Sequence, residues 1–171
     1  PETGQMLIAG MGELHLEIMT HRLERDMNVA VRVGRPRVSY RETVTGSARA
    51  EARFIRQTGG HGQYAVVELS VEPYRPAEGE DHILFVNQIK QGAISRQYIK
   101  AVEEGVRQAA KGGVLAGYPL INVKVSLLDG KEHPVDSSDL AFENAGMMAF
   151  RQACEQGGVG LLEPIMRLEV T

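Results

Sequence analysis

Tryptophan is absent from this chain of 171 residues, aromatic side chains make up 5% of it, and Cys154 is the single cysteine. A lone cysteine excludes an intrachain disulfide and fits a reducing, cytoplasmic setting. With aromatics so few, the core has to be assembled from Val, Leu, Ile, Ala and Met, and an apolar share of 43% is enough to build one. No apolar run is long enough to span a bilayer and no signal-peptide pattern opens the chain, so a membrane is not an expected partner. Pro1 stands where an initiator Met would, which reads as a piece cut from a longer protein.

The motifs of nucleotide chemistry are missing as well. A phosphate-binding loop needs Gly-x-x-x-x-Gly-Lys followed by Ser or Thr, and the one Gly-Lys pair, Gly130-Lys131, is followed by Glu132. Gly10-Met11-Gly12 and Gly60-His61-Gly62 lack the third glycine of a dinucleotide fingerprint. His15 and His21 do not share a helix face, and Cys154 has no cysteine nearby to share a metal. Ser137 and Ser138 stand outside any Gly-x-Ser-x-Gly elbow. No catalytic residue, metal or cofactor is therefore expected within the chain itself.

What the chain does carry is a polar loop between two alternating segments. Ala48, Ala50, Ala52 and Phe54 share one face, as do Ala65, Val67, Leu69 and Val71, the period-2 pattern of half-buried strands. Between them lies Gln57-Thr58-Gly59-Gly60-His61-Gly62-Gln63-Tyr64. A plain hairpin needs only a short turn of the Asn-Gly type. This connection has three glycines, which let another molecule come close, and two glutamines, each a donor and an acceptor together. The net charge of −3 gives no global attraction to nucleic acid, but from Arg35 to Arg56 six arginines face only Glu42 and Glu51. A polar loop on a stiff, locally basic ribbon suits a phosphate-facing arm. A hairpin tip that touches nothing, on a solvated strand face, fits the same residues.

Along the chain, Thr3–Ala9 reads as a strand, Glu13–Met27 as a helix with Leu16, Met19, Leu23 and Met27 on one stripe, and Val29–Val33 as a strand. This β-α-β unit is closed by the break at Gly34-Arg35-Pro36. Strands follow at Val38–Val44, Ala48–Gln57, Gln63–Pro73 and Ile83–Ile89. A helix then runs from its N-cap Ser95 to the stop at Gly112-Gly113. Pro119 opens a strand with Ile121, Val123, Val125 and Leu127 inward, and Asp129-Gly130 reads as a turn. A deeply packed helix, Ser138–Gln156, is capped by Asp136, Ser137 or Ser138, and Ile165–Val170 reads as a last strand. The domains expected are 1–36, 37–160 and 161–171. The main one is α/β in two layers, a mixed four-stranded sheet with two helices on one face.

Two more junctions are candidate contact sites. His133-Pro134-Val135-Asp136 forms the tip of the loop before the last helix, where a histidine can stack on a base or bond a phosphate or ribose, or simply sit in solvent. Gly92-Ala93-Ile94-Ser95-Arg96 marks a strand giving way to a helix, whose free N–H groups can take a phosphate.

Six blocks, in order along essentially the whole chain, closely resemble the bacterial elongation factor G family of translational GTPases. They are Gly10-Met11-Gly12-Glu13-Leu14-His15-Leu16-Glu17, Val38-Ser39-Tyr40-Arg41-Glu42-Thr43, Gly59-Gly60-His61-Gly62-Gln63-Tyr64, Leu115-Ala116-Gly117-Tyr118-Pro119, Val135-Asp136-Ser137-Ser138 with Ala141-Phe142, and Leu161-Leu162-Glu163-Pro164-Ile165-Met166. The resemblance implies that 1–36 is the end of the family's third domain, half of a ferredoxin-like unit. It implies that 37–160 is the fourth domain, with an unusual left-handed β-α-β crossover, and that 161–171 is the first strand of the fifth. The implied function is mechanical. The fourth domain is the arm that enters the decoding region of the small ribosomal subunit and promotes tRNA–mRNA translocation through tip loops matching Gln57–Tyr64, Gly92–Arg96 and His133–Asp136. His133 matches a tip histidine whose eukaryotic counterpart is modified. Ribosome, tRNA and mRNA are then the partners and the fragment is monomeric. GTP and Mg belong to the parent's GTPase domain, which this piece lacks.

The chain departs from the family pattern near the tip: His61 for Arg, Ser95 for Pro, Lys131-Glu132 for Ser-Tyr, and Pro134 for Asp. These departures leave open a paralogue used for ribosome recycling. A ribosome-protection protein of the same superfamily would resemble the factor less in its tip loops. From another class, a small hydrolase using His133, Asp136 and Ser137 or Ser138 would need a nucleophile–base hydrogen bond of about 2.6–3.2 Å.

Overall fold

The alternating segments pair into a sheet. The computed structural model describes residues 4–35, 37–56, 62–90 and 92–165. In chain order these hold helix α1 (Glu13–Arg25), strands β1 (Arg41–Val44), β2 (Ala48–Arg56), β3 (Gln63–Pro73) and β4 (Ile83–Asn87), helix α2 (Arg96–Gly112), strand β5 (Val123–Lys131), helix α3 (Asp139–Gly157) and strand β6 (Val159–Leu162). The chain divides into two compact units, Tyr40–Leu162 and the segments on either side of it.

In the larger unit β2, β3, β5 and β4 lie side by side in that order, antiparallel except for the parallel pair β4–β5. α2 joins β4 to β5, because parallel neighbours need a crossover. Ala50, Ala52, Ala65, Val67, Leu69, Val71, Val123, Val125 and Leu127 are buried on one face, in one core with α2 and α3. This is the expected mixed four-stranded sheet with two helices on one side. α3 supplies the two large aromatics of the core, Phe142 and Phe150, and the Tyr98 ring of α2 stacks on Phe142 at 4.4 Å. The two helices touch closely: a Cβ on Gly105 would collide with the Glu143 carbonyl oxygen. The other sheet face is polar. Arg49 pairs with Glu68, Arg53 with Glu51 at 2.8 Å and Lys124 with Glu72 at 2.5 Å, so two arginines of the basic ribbon are offset locally.

Several expectations are corrected. Asp129-Gly130 is not a turn; both residues lie in β5, which starts later and ends later than the pattern suggests. Glu68 pairs with Asp129 and Leu69 with Leu127, so Leu128 is the extra residue of a bulge that carries the ladder on to Lys131. Pro119 does not open that strand, and Leu120 forms only a single parallel bridge with Glu42. β1 leaves the main sheet and pairs antiparallel with β6, a strand that runs across the expected boundary after Gly160. Of the strand expected over Ile165–Val170, Ile165 lies outside any strand and the rest falls outside the described residues.

In the smaller unit α1 forms, and its flanks pair into no sheet over their described residues. Two short extended segments without further strands bury too little to hold a ladder. Leu16, Thr20 and Leu23 line a groove with Met6, Leu7 and Val31, while Met19 and Met27 of the expected stripe are exposed. Thr3 and Pro36 lie outside the described residues.

Candidate nucleic-acid interface

Strand polarity gathers three connections at one end of the main sheet. The last hairpin rung is Arg56 with Gln63, β5 ends beside Val66 at Lys131, and β4 ends with Asn87 opposite Leu127. The connections after β2, β4 and β5 therefore all leave from the same end. Gln57, Thr58, Gly59, Gly60 and His61 lie outside the described residues.

From Gly62 onward the hairpin is tied to the turn that carries His133. The Gly62 N–H donates to Asp136 Oδ1 at 3.0 Å, and the Tyr64 N–H donates to the Asp136 carbonyl at 2.8 Å. Ser137 Oγ donates to the Tyr64 carbonyl at 2.7 Å and accepts from the His133 N–H at 2.8 Å. A Cβ on Gly62 would lie 3.2 Å from Asp136 Cγ, so glycine at this position makes room for the carboxylate. The His133 and Tyr64 rings sit 5.9 Å apart at a 57° tilt. His133 Nδ1 accepts from the backbone N–H groups of Val135 at 3.3 Å and Asp136 at 3.2 Å, which places the proton of the neutral ring on Nε2. Asp136 Oδ2 lies 3.4 Å from the same nitrogen. Pro134 and Val135 are exposed.

The third segment joins through Glu132. Its carboxylate accepts from the Ser95 N–H at 2.9 Å and from Ser95 Oγ at 2.9 and 3.2 Å. Ser95 occupies the N-cap position of α2, but its hydroxyl goes to Glu132 and caps no helix N–H. A carboxylate at a helix N-terminus complements the dipole there. Ile94 is buried in the core and anchors the junction, whereas Gly92 and Arg96 are exposed.

The arrangement does not suit hydrolysis. The Ser137 hydroxyl is held by backbone groups of Tyr64 and His133, and Ser138 Oγ accepts from the Ala141 N–H at 3.1 Å as the cap of α3. Among the described residues no serine hydroxyl bonds the His133 ring.

Sequence reasoning passed over Glu42. It is fully buried at the opposite end of the unit, near the start of β5. Its carboxylate accepts four backbone N–H groups, from Val114 at 2.5 Å, Leu115 at 2.9 Å, Ala116 at 2.7 Å and Tyr118 at 3.1 Å. Burial pushes its pKa up, but the four N–H groups outweigh that and hold it below the usual carboxylate range. The available signal was an acid on the inward face of β1, two residues before buried Val44. Nearby, burial first, then the charges of Glu42 and Glu155, push the Cys154 thiol up to about 12.

Residues 36–158 match the family model of elongation factor G, domain IV, and residues 1–35 that of elongation factor G, domain III. The chain is 54% identical over 169 residues to the elongation factor G of Pseudothermotoga lettingae. It is 53% identical over 171 residues to that of Fervidobacterium nodosum. Each match covers 99% of this chain and 24% of the relative, so the chain spans about a quarter of their length. A crystal structure from Thermus thermophilus superposes with a TM-score of 0.77 at 41% identity, over 89% of this chain and 22% of that one.

Proposed function

Because the chain belongs to the elongation factor G family, we propose that Tyr40–Leu162 is the RNA-contacting arm of a translational GTPase, which promotes tRNA–mRNA movement in the decoding region of the small ribosomal subunit. Residues 1–36 then belong to the preceding domain, and the residues after Leu162 open the following one. The setting is the cytoplasm, with ribosome, tRNA and mRNA as partners. GTP and Mg²⁺ are handled by parts of the longer protein outside this chain, in which no phosphate-binding loop occurs.

The observation that supports this reading best is the joining of Tyr64, next to Gln63 in β3, with His133 at one end of a stiff sheet. The arm does no bond chemistry. It holds polar groups where RNA edges and riboses can meet them: the amide of Gln63, the ring of Tyr64, and Nε2–H of His133. One hydrogen bond is worth about 0.5–1.5 kcal/mol net, and more when a charge is involved. Since about 1.4 kcal/mol is a factor of ten in rate, one such contact is enough to matter for a transient step.

His133→Ala in the intact factor is therefore expected to slow translocation about ten-fold. Ribosome-stimulated GTP hydrolysis is expected to stay near the parent rate. A variant that translocates normally, or that loses hydrolysis instead, would refute the assignment.

A further inference from the structure

A carboxylate carries the wrong charge to touch an RNA phosphate, yet the turn at the tip carries two, Glu132 and Asp136. Both are turned inward onto backbone N–H groups, Glu132 onto Ser95 and Asp136 onto Gly62. We infer that Asp136 is a positioning residue of the tip and makes no RNA contact of its own. Through Gly62 and Tyr64 it fixes the end of the hairpin against the His133 turn, so that Tyr64 and His133 meet RNA as one surface. This rests on the RNA-contact reading above.

The geometry is specific to that role. Asp136 grips the hairpin twice, with its side chain at Gly62 and its backbone carbonyl at Tyr64, so Gln63 is held from both sides. Ser137 adds a return bond to the Tyr64 carbonyl and holds the His133 N–H with the same oxygen. Gly62 has no side chain to interfere, and a methyl group there would press on the carboxylate. Without the latch these residues would have to be ordered at the moment of contact, which weakens and slows recognition. Taking the N–H of Gly62 also spends the carboxylate charge internally, away from the phosphates.

The test uses the intact factor and single-turnover translocation. Asp136→Ala is expected to lower the rate at saturating factor about ten-fold. The factor concentration giving half the maximal rate is expected to stay the same, a split that a general loss of folded protein does not produce. Asp136→Asn keeps an oxygen to accept the Gly62 N–H and is expected to stay within about two-fold of the parent. Gly62→Ala is expected to slow the step as Asp136→Ala does, and the double variant to be no slower than the slower single one. An Asp136→Ala factor at the parent rate, an Asp136→Asn factor as slow as Asp136→Ala, or strict additivity of the pair overturns the positioning role. If His133→Ala leaves translocation unchanged, the RNA-contact reading is what fails. Should Asp136→Ala lose amide protection at Val67 and Leu69, the rates of Asp136→Asn and Gly62→Ala decide, the first near the parent and the second slow if the latch is real.

Discussion

At the start of β5 Glu42 is fully buried and accepts four backbone N–H groups, while at its other end Asp136 and Glu132, both partly in water, hold the loops that follow β2 and β4. The bonding chemistry is the same and the surroundings are opposite. In water's absence each unmet N–H carries its full desolvation cost. At the tip, water can replace a lost acceptor, so the same bond fixes position more than it stabilises the fold. The base is thus where folding energy is concentrated, and the tip is where geometry is concentrated.

The largest expected effect follows at the base. Glu42→Gln turns one acceptor oxygen into an NH₂ group that faces N–H donors in a buried nest. A loss of about 3 kcal/mol in unfolding free energy is expected, read as a lowered denaturant midpoint at unchanged slope. Tip geometry should be untouched by it, so amide protection at Tyr64 should fall only as far as the global stability does. A loss under about 1 kcal/mol would place Glu42 with the surface carboxylates and erase the contrast.

Acid should expose the same residue. Glu42 has a folded pKa held below the usual range, so its contribution is fully present above the unfolded value of about 4.3 and is lost as pH falls through the folded value. The parent should therefore lose stability on acidification below about pH 5 more steeply than Glu42→Gln does. Parallel curves for the two proteins down to acid unfolding would show that the nest does not control acid stability.

The contrast also explains what could be read in advance. The sheet was legible because alternation is a local signal: Ala50 and Ala52 with Val67, Leu69 and Val71 state both the strands and their buried face. The register of β2 on β3 followed from the hairpin. The three connections were legible as polar breaks between elements, and strand polarity sets them at one end of the sheet. What was not legible depends on residues far apart in sequence. Nothing local tells Glu42 that it will meet Val114 through Tyr118, or that β1 will pair with β6 in place of the main sheet. The Leu128 bulge, which keeps Asp129-Gly130 in the strand, is likewise set by the partner strand. Inside the tip, residue type pointed to contact for Gly62, Asp136 and Ile94, whereas the geometry gives Gly62 and Asp136 to each other and Ile94 to the core.

The smallest effect sharpens the comparison most, because it concerns the same kind of bond in the opposite setting. Glu132 accepts from the Ser95 N–H and hydroxyl at the N-terminus of α2, but it is exposed. A charge near a helix N-terminus at an exposed site is worth about 0.3–1 kcal/mol, and salt screens it. Glu132→Ala leaves the Ser95 N–H open to water, so the backbone donor is not stranded as it would be at Glu42. The expected loss is about 0.5 kcal/mol at low salt, shrinking in about 1 M salt, measured as a denaturant midpoint beside that of Glu42→Gln. If Glu132→Ala costs as much as Glu42→Gln and salt does not reduce it, water does not replace the lost acceptor at the tip, and burial is not what separates the two ends of the sheet.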